Sequence, residues 1–199
     1  HEKKLRRHDE NGSRGEVMRI TGGIYCGRTV EMPESRLPIR PAMDRMRESL
    51  FATLGDLTGL SFLDLFSGSG IIALEAASRG AWPVTCVERD RAKFPTLLKN
   101  VAISERRIEC KALPVELFLQ RNQVPFDIVF LDPPFPYAYR MELLEALSDG
   151  STLKNGGLAL LHFPHEEQLP QEIGALYVEN EKHYGRSSVR FYRKKTISI

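Results

Sequence analysis

Alternating strand and helix patterns across residues 60–163 predict a doubly wound α/β fold, a parallel sheet with helices on both faces. Two further stretches support that class. Gly68-Ser69-Gly70 sits where the first of these strands turns into a helix. Phe126-Asp127-Ile128-Val129-Phe130-Leu131 is a short apolar run that stops abruptly at Asp132-Pro133-Pro134-Phe135. Such a run reads as a strand buried on both faces. Two prolines cannot donate ladder hydrogen bonds, so the strand ends there. Asp132 and Phe135 are thereby placed at a strand's carboxyl end, where open α/β sheets bind ligands.

The chain has 199 residues, 42% of them hydrophobic and 27% charged, enough for one domain with a sizeable core. The net charge of +2 does not by itself demand nucleic acid, but Lys and Arg crowd the termini and residues 36–47. Cys26, Cys86 and Cys110 are spaced for neither zinc nor redox work, and no metal site is expected. They fit a reducing compartment. With no signal peptide and no membrane-spanning run, the reading is a cytoplasmic protein that does not engage a membrane.

In chain order, residues 1–17 are almost wholly polar and read as a disordered or vector-derived tail. Residues 18–42 form an N-terminal unit: two β-prone runs around a glycine-rich bend predict a hairpin, and Pro38 and Pro41 keep the following linker extended. The main domain takes residues 43–199. Met43, Met46, Leu50 and Leu54 share one helical face, with Phe51 beside them. Arg19 and Arg28 on the hairpin, and Arg40, Arg45 and Arg47 around the helix start, are candidate phosphate contacts, because guanidinium forks match phosphate oxygens. Strands are predicted at 60–65, 82–88, 107–111, 126–131 and 158–163. Helices are predicted at 71–79, 91–103, 114–121 and 139–147, with Pro95 and Pro114 in first turns. Residues 175–182 and 188–193 read as a closing antiparallel hairpin around Tyr184-Gly185-Arg186.

Gly68 and Gly70 let a ligand approach the backbone at a helix N-terminus, and Ala73 completes the G-x-G-x-x-G/A fingerprint. The fingerprint alone also fits a nicotinamide cofactor. Asp64, at the strand end before the glycines, repels a pyrophosphate but suits the ammonium of a methionine. Glu88 ends the second strand, where a carboxylate accepts ribose hydroxyls. Arg89 follows it, and Ala112 after the third strand offers backbone groups to an adenine. These details favour S-adenosylmethionine. At the other corner, Asp132 and a proline carbonyl offer two acceptors to an exocyclic amine. Phe135 offers a face for a base, worth about 1–3 kcal/mol.

Arg40-Pro41, Asp44-Arg45, Arg47-Glu48, Asp64-Leu65-Phe66-Ser67-Gly68-Ser69-Gly70, Glu88 and Asp132-Pro133-Pro134-Phe135 together resemble the RsmD-type 16S ribosomal RNA guanine-N2 methyltransferases. The opening Arg19-Ile20-Thr21-Gly22-Gly23 with Gly27-Arg28 is similar to that family too. The resemblance implies a class I S-adenosylmethionine-dependent methyltransferase fold: a Rossmann-like seven-stranded sheet with an antiparallel C-terminal hairpin. It implies S-adenosylmethionine as donor, held by Asp64, Phe66, Gly68, Gly70 and Glu88. It implies a guanine of 16S rRNA held by Asp132, Pro133, Pro134 and Phe135, with a monomeric enzyme acting on a partly assembled small subunit. The strand end Leu161-His162-Phe163-Pro164-His165 lacks the expected glutamate, and its histidines read as incidental. DNA adenine N6 or a protein glutamine amide needs the same two acceptors, and a nicotinamide-dependent oxidoreductase remains a more distant alternative.

Overall fold

The structure is a computed structural model described over residues 17–33 and 41–196. Its first unit is an antiparallel pair, β1 (Val17–Arg19) and β2 (Thr29–Glu31), in which Met18 faces Val30. Helix α1 follows at Pro41–Leu54. The βα alternation then runs β3 (Phe62–Leu65), α2 (Ile71–Ser78), β4 (Val84–Val87), α3 (Phe94–Val101), β5 (Glu109–Lys111), α4 (Val115–Arg121), β6 (Phe126–Leu131) and α5 (Arg140–Asp149). Four strands close the chain: β7 (Leu153–Pro164), β8 (Glu172–Ile173), β9 (Leu176–Tyr184) and β10 (Ser187–Lys194).

The main sheet has the order β5-β4-β3-β6-β7-β10-β9-β8. Strands β3 to β7 pair in parallel, and β10, β9 and β8 add antiparallel at one edge. After β3 the chain adds β4 and β5 on one side, then returns to place β6 on the other. The carboxyl ends of β3 and β6 therefore flank the point where strand order reverses, the ligand crevice of such sheets.

Side-chain alternation along each strand divides the core in two. Phe62, Cys86, Phe130 and Leu160 pack on one face against α1, α2 and α3. Leu63, Val87, Leu131 and Leu161 pack on the other against α4 and α5. The hairpin joins the first layer through Met18, Ile20, Tyr25 and Val30, all buried. Burying a side chain such as Ile20 or Val30 contributes about 1.5–3 kcal/mol.

Four expectations need correcting. Pro41, expected to keep a linker extended, is instead the first residue of α1, where its fixed φ suits a helix and its missing N–H is not needed. The sheet has eight strands, because the chain adds β8 at the edge. Two residues just after Pro170 offer no period from which to read a strand. Strand β7 begins at Leu153, earlier than the apolar run, because Gly156 and Gly157 interrupt the hydrophobic signal while Leu153 already pairs with Phe126. Val17, counted with the polar tail, pairs with Glu31. The remaining tail residues, together with Arg36, Pro38 and Arg40, lie outside the described residues. No described helix is long and apolar enough to cross a membrane.

Candidate active site

At the end of β3 the backbone turns sharply. Phe66 adopts φ 62°, a left-handed conformation that costs a non-glycine residue about 1–2 kcal/mol. Gly68 and Gly70 follow at φ 54° and 81°. A hydroxyl holds this turn from beneath: Ser67 Oγ donates to Asp64 O at 2.7 Å and accepts from Val87 N at 3.0 Å. Asn100, buried on α3, donates to Ser69 O at 2.8 Å and pairs with both backbone groups of Glu31, tying turn to hairpin. Asp64 is 1% exposed, and its Oδ2 accepts from Ala73 N at 3.3 Å. Burial first, then the neighbouring Asp132 carboxylate, pushes its carboxyl well above the usual range. Glu88 directly follows β4, with Oε2 accepting from Gly68 N at 2.8 Å and Oε1 from Asp90 N at 3.0 Å. Each oxygen retains a second lone pair for a ligand hydroxyl.

The adjacent corner follows β6. Leu65 and Leu131 are paired, and Asp132 N donates to Leu65 O at 3.4 Å, so the two turns share one end of the sheet. Asp64 and Asp132 continue the same face as Phe62 and Phe130. Arg140, 1% exposed, braces the Pro-Pro-Phe turn from α5. It donates to Pro134 O at 3.1 Å, Tyr137 O at 2.9 Å and Phe135 O at 3.4 Å, and pairs with Glu167 Oε2 at 2.8 Å. None of these bonds uses the Pro133 carbonyl. Phe135 is 41% exposed, and its ring meets His162 edge-on at 5.4 Å. His162 Nδ1 lies 2.8 Å from Asp132 Oδ1. Tyr137 packs edge-on against Phe66 at 5.3 Å and hydrogen-bonds Glu116, so an aromatic contact also spans the two corners. Burial and that carboxylate raise the Tyr137 phenol above its usual range, so it remains the donor.

The model of a family described as Conserved hypothetical protein 95 matches residues 18–193. Ribosomal RNA small subunit methyltransferase D of Escherichia coli (strain K12) is 34% identical over 196 residues, 96% of either chain. The chain belongs to the RsmD family. The protein of the same name from Haemophilus influenzae is 33% identical over 193 residues, 91% of this chain and 95% of that one. Among solved structures, Escherichia coli yhhF superposes with a TM-score of 0.80 at 32% identity, covering 92% of this chain and 100% of that one. A protein of Streptococcus mutans shares the fold at TM-score 0.67 and 15% identity, over 83% of this chain and 52% of that one.

The relatives are named as methyltransferases, and the sequence points to S-adenosylmethionine as the donor. The residues present fit that donor. A Cβ built on Gly68 meets nothing within 4 Å, so the turn opens onto free space. Asp64 is a buried acid whose neighbours discourage its charge, a setting that a ligand ammonium relieves. Gly70 serves packing instead: its Cβ would lie 2.7 Å from Leu97 Cδ1.

The structure brings together Asp64, Phe66, Gly68, Gly70, Glu88 and the 132–135 corner. Arg89 and Ala112 are exposed at the carboxyl ends of β4 and β5, along the same edge. Arg19, Arg28 and Arg45 are exposed on the hairpin and α1. Arg47 is a correction. It is 3% exposed, pairs with Glu75 at 3.0 Å and Asp44 at 3.1 Å, and donates to Arg19 O at 2.9 Å. Its guanidinium is committed inside the protein and is not available to a phosphate. His162 is a second correction, since it contacts both Asp132 and Phe135. Sequence offered no signal for it beyond a polar residue inside an apolar strand. Arg140 and Asn100 were missed too, because a buried Arg or Asn that caps carbonyls looks like any surface residue until the loop it caps is known.

Proposed function

We propose that the protein methylates the exocyclic N2 amine of a guanine in small-subunit (16S) rRNA. The juxtaposition of Asp132 with the Asp64–Gly68 turn at the switch point carries this reading. Bound S-adenosylmethionine supplies an electrophilic methyl carbon and a thioether leaving group. Phe135 gives the splayed guanine a face to stack on. Asp132 Oδ2 and the Pro133 carbonyl accept the two N2 hydrogens, which draws the nitrogen lone pair out of conjugation and fixes its direction. Holding the reacting atoms in line can supply about 7–11 kcal/mol. The nitrogen sheds one proton as its new bond forms, and Asp132 or water takes it.

Arg19, Arg28 and Arg45 grip phosphates, which makes the hairpin and the start of α1 an RNA-holding extension of the main domain. The enzyme acts in the cytoplasm as a monomer on a partly assembled subunit, where the guanine is still accessible. The test incubates the protein and labelled S-adenosylmethionine with small-subunit rRNA, bare and in assembly intermediates, and digests the product to nucleosides. N2-methylguanosine is the expected label carrier. Label on adenine, on protein, or on no RNA nucleoside refutes the proposal.

A further inference from the structure

His162 stands in the apolar core of β7, between Leu161 and Phe163, with its side chain 3% exposed. Its Nδ1 meets Asp132 Oδ1 at 2.8 Å. An ionised carboxylate only accepts, so Nδ1 carries the proton in this pair. Nε2 is buried and has no hydrogen-bond partner among the described residues. A polar atom left in that state destabilises a fold, and leucine would fill the place without it. Asp132 itself is 28% exposed at the side chain and is solvated without help. Stability therefore does not account for a histidine here.

We infer that His162 is the positioning residue of the acceptor site. It anchors one oxygen of Asp132, so that the other is presented to the base amine, while its ring backs the Phe135 platform. The torsion that orients an aspartate carboxylate is soft and broad. An unanchored Asp132 rotates between orientations, and few of them align the amine. One hydrogen bond from a rigid strand removes that freedom. The edge-on contact at 5.4 Å couples carboxylate and stacking ring through a single side chain. The inference rests on the proposed reading of Asp132 and adds to it how that carboxylate is aimed.

The test compares His162→Leu, His162→Asn and His162→Gln in single-turnover methyl transfer to small-subunit rRNA, with donor affinity and thermal midpoint measured for each. Asparagine places an N–H where Nδ1 stands; glutamine places one where Nε2 stands. Expected are a fall in kcat of about 10–100-fold for His162→Leu and His162→Gln, and recovery to within about threefold for His162→Asn. Donor affinity stays unchanged throughout, and the midpoint of His162→Leu is unchanged or raised. Wild-type kcat in His162→Leu overturns the inference. So does equal loss in all three variants, or a loss that tracks a fall in thermal midpoint. Asp132→Ala separates the two levels. Full turnover in Asp132→Ala removes the assigned role of Asp132, whereas an inactive Asp132→Ala beside a fully active His162→Leu removes only the role of His162.

Discussion

At the scale of single residues, two glycines of one turn serve different ends. Gly68 and Gly70 both have positive φ, so alanine costs either one about 1–2 kcal/mol of backbone strain. At Gly70 the new methyl also meets Leu97 and Val101 at 2.7 and 3.0 Å. At Gly68 it meets open space, where the donor is proposed to lie. Gly70→Ala should therefore lower stability more than Gly68→Ala does, while Gly68→Ala should weaken S-adenosylhomocysteine binding more. Urea unfolding and calorimetry on both variants check the crossing. Asp64 gives a pH signature. Its raised folded pKa means that the native state holds a proton that the unfolded state has lost, above about pH 3.9. Its contribution is thus full at low pH and lost as pH rises through the folded value. Asp64→Asn should flatten that fall and stabilise the free protein, yet bind donor weakly. A cationic ligand draws the carboxyl towards its charged form, so donor binding should release protons. Titrations in two buffers of different ionisation enthalpy measure that release.

At the scale of elements, the hairpin is secured by one buried acid. Glu75 on α2, 0% exposed, accepts from Thr21 N at 2.8 Å and Arg47 Nε at 3.0 Å, and pairs with Arg79. Gly23 lets the hairpin loop lie directly on the end of α2, where any Cβ would be 1.9 Å from Ser78 O. The Gly-Gly opening and the Arg-x-Arg-Glu segment, which carried much of the resemblance, are thus partly a docking device. Glu75→Ala leaves the buried Arg47 guanidinium with only the exposed Asp44 carboxylate and the Arg19 carbonyl as partners, which should cost about 3 kcal/mol. Chemical denaturation measures it, and a loss below 1 kcal/mol would show that water reaches the site. Sequence patterns located nearly every helix and strand, because periodicity reports which face is buried. They could not show that Arg47 faces inward, since a helical period marks apolar positions and gives no sign of a paired charge.

At the scale of the whole molecule, strand order was the step that sequence left open. The βα alternation implied a parallel sheet, yet nothing in the residues themselves required β6 to lie beside β3. Once it does, Asp64 and Asp132 share one face at one end, and the two motifs become one site. The acceptor's supports were illegible because His162 reaches it from β7, remote in sequence, and because Arg140, only a few residues on, turns back from α5 to cap the loop's carbonyls. Charge follows the same logic: a net +2 hides its placement. If Arg19, Arg28 and Arg45 each neutralise a phosphate, replacing one by glutamine removes about one counterion from the exchange. The slope of log affinity against log salt should then fall by about 0.7–0.9 per substitution. All three side chains are exposed, so stability should move by no more than about 0.5 kcal/mol each. Filter binding to small-subunit rRNA across a salt series reads the slope. A triple variant with an unchanged slope would place the RNA on another surface, whereas a lower slope with kcat intact at saturating RNA would separate the grip on the backbone from the chemistry at Asp132.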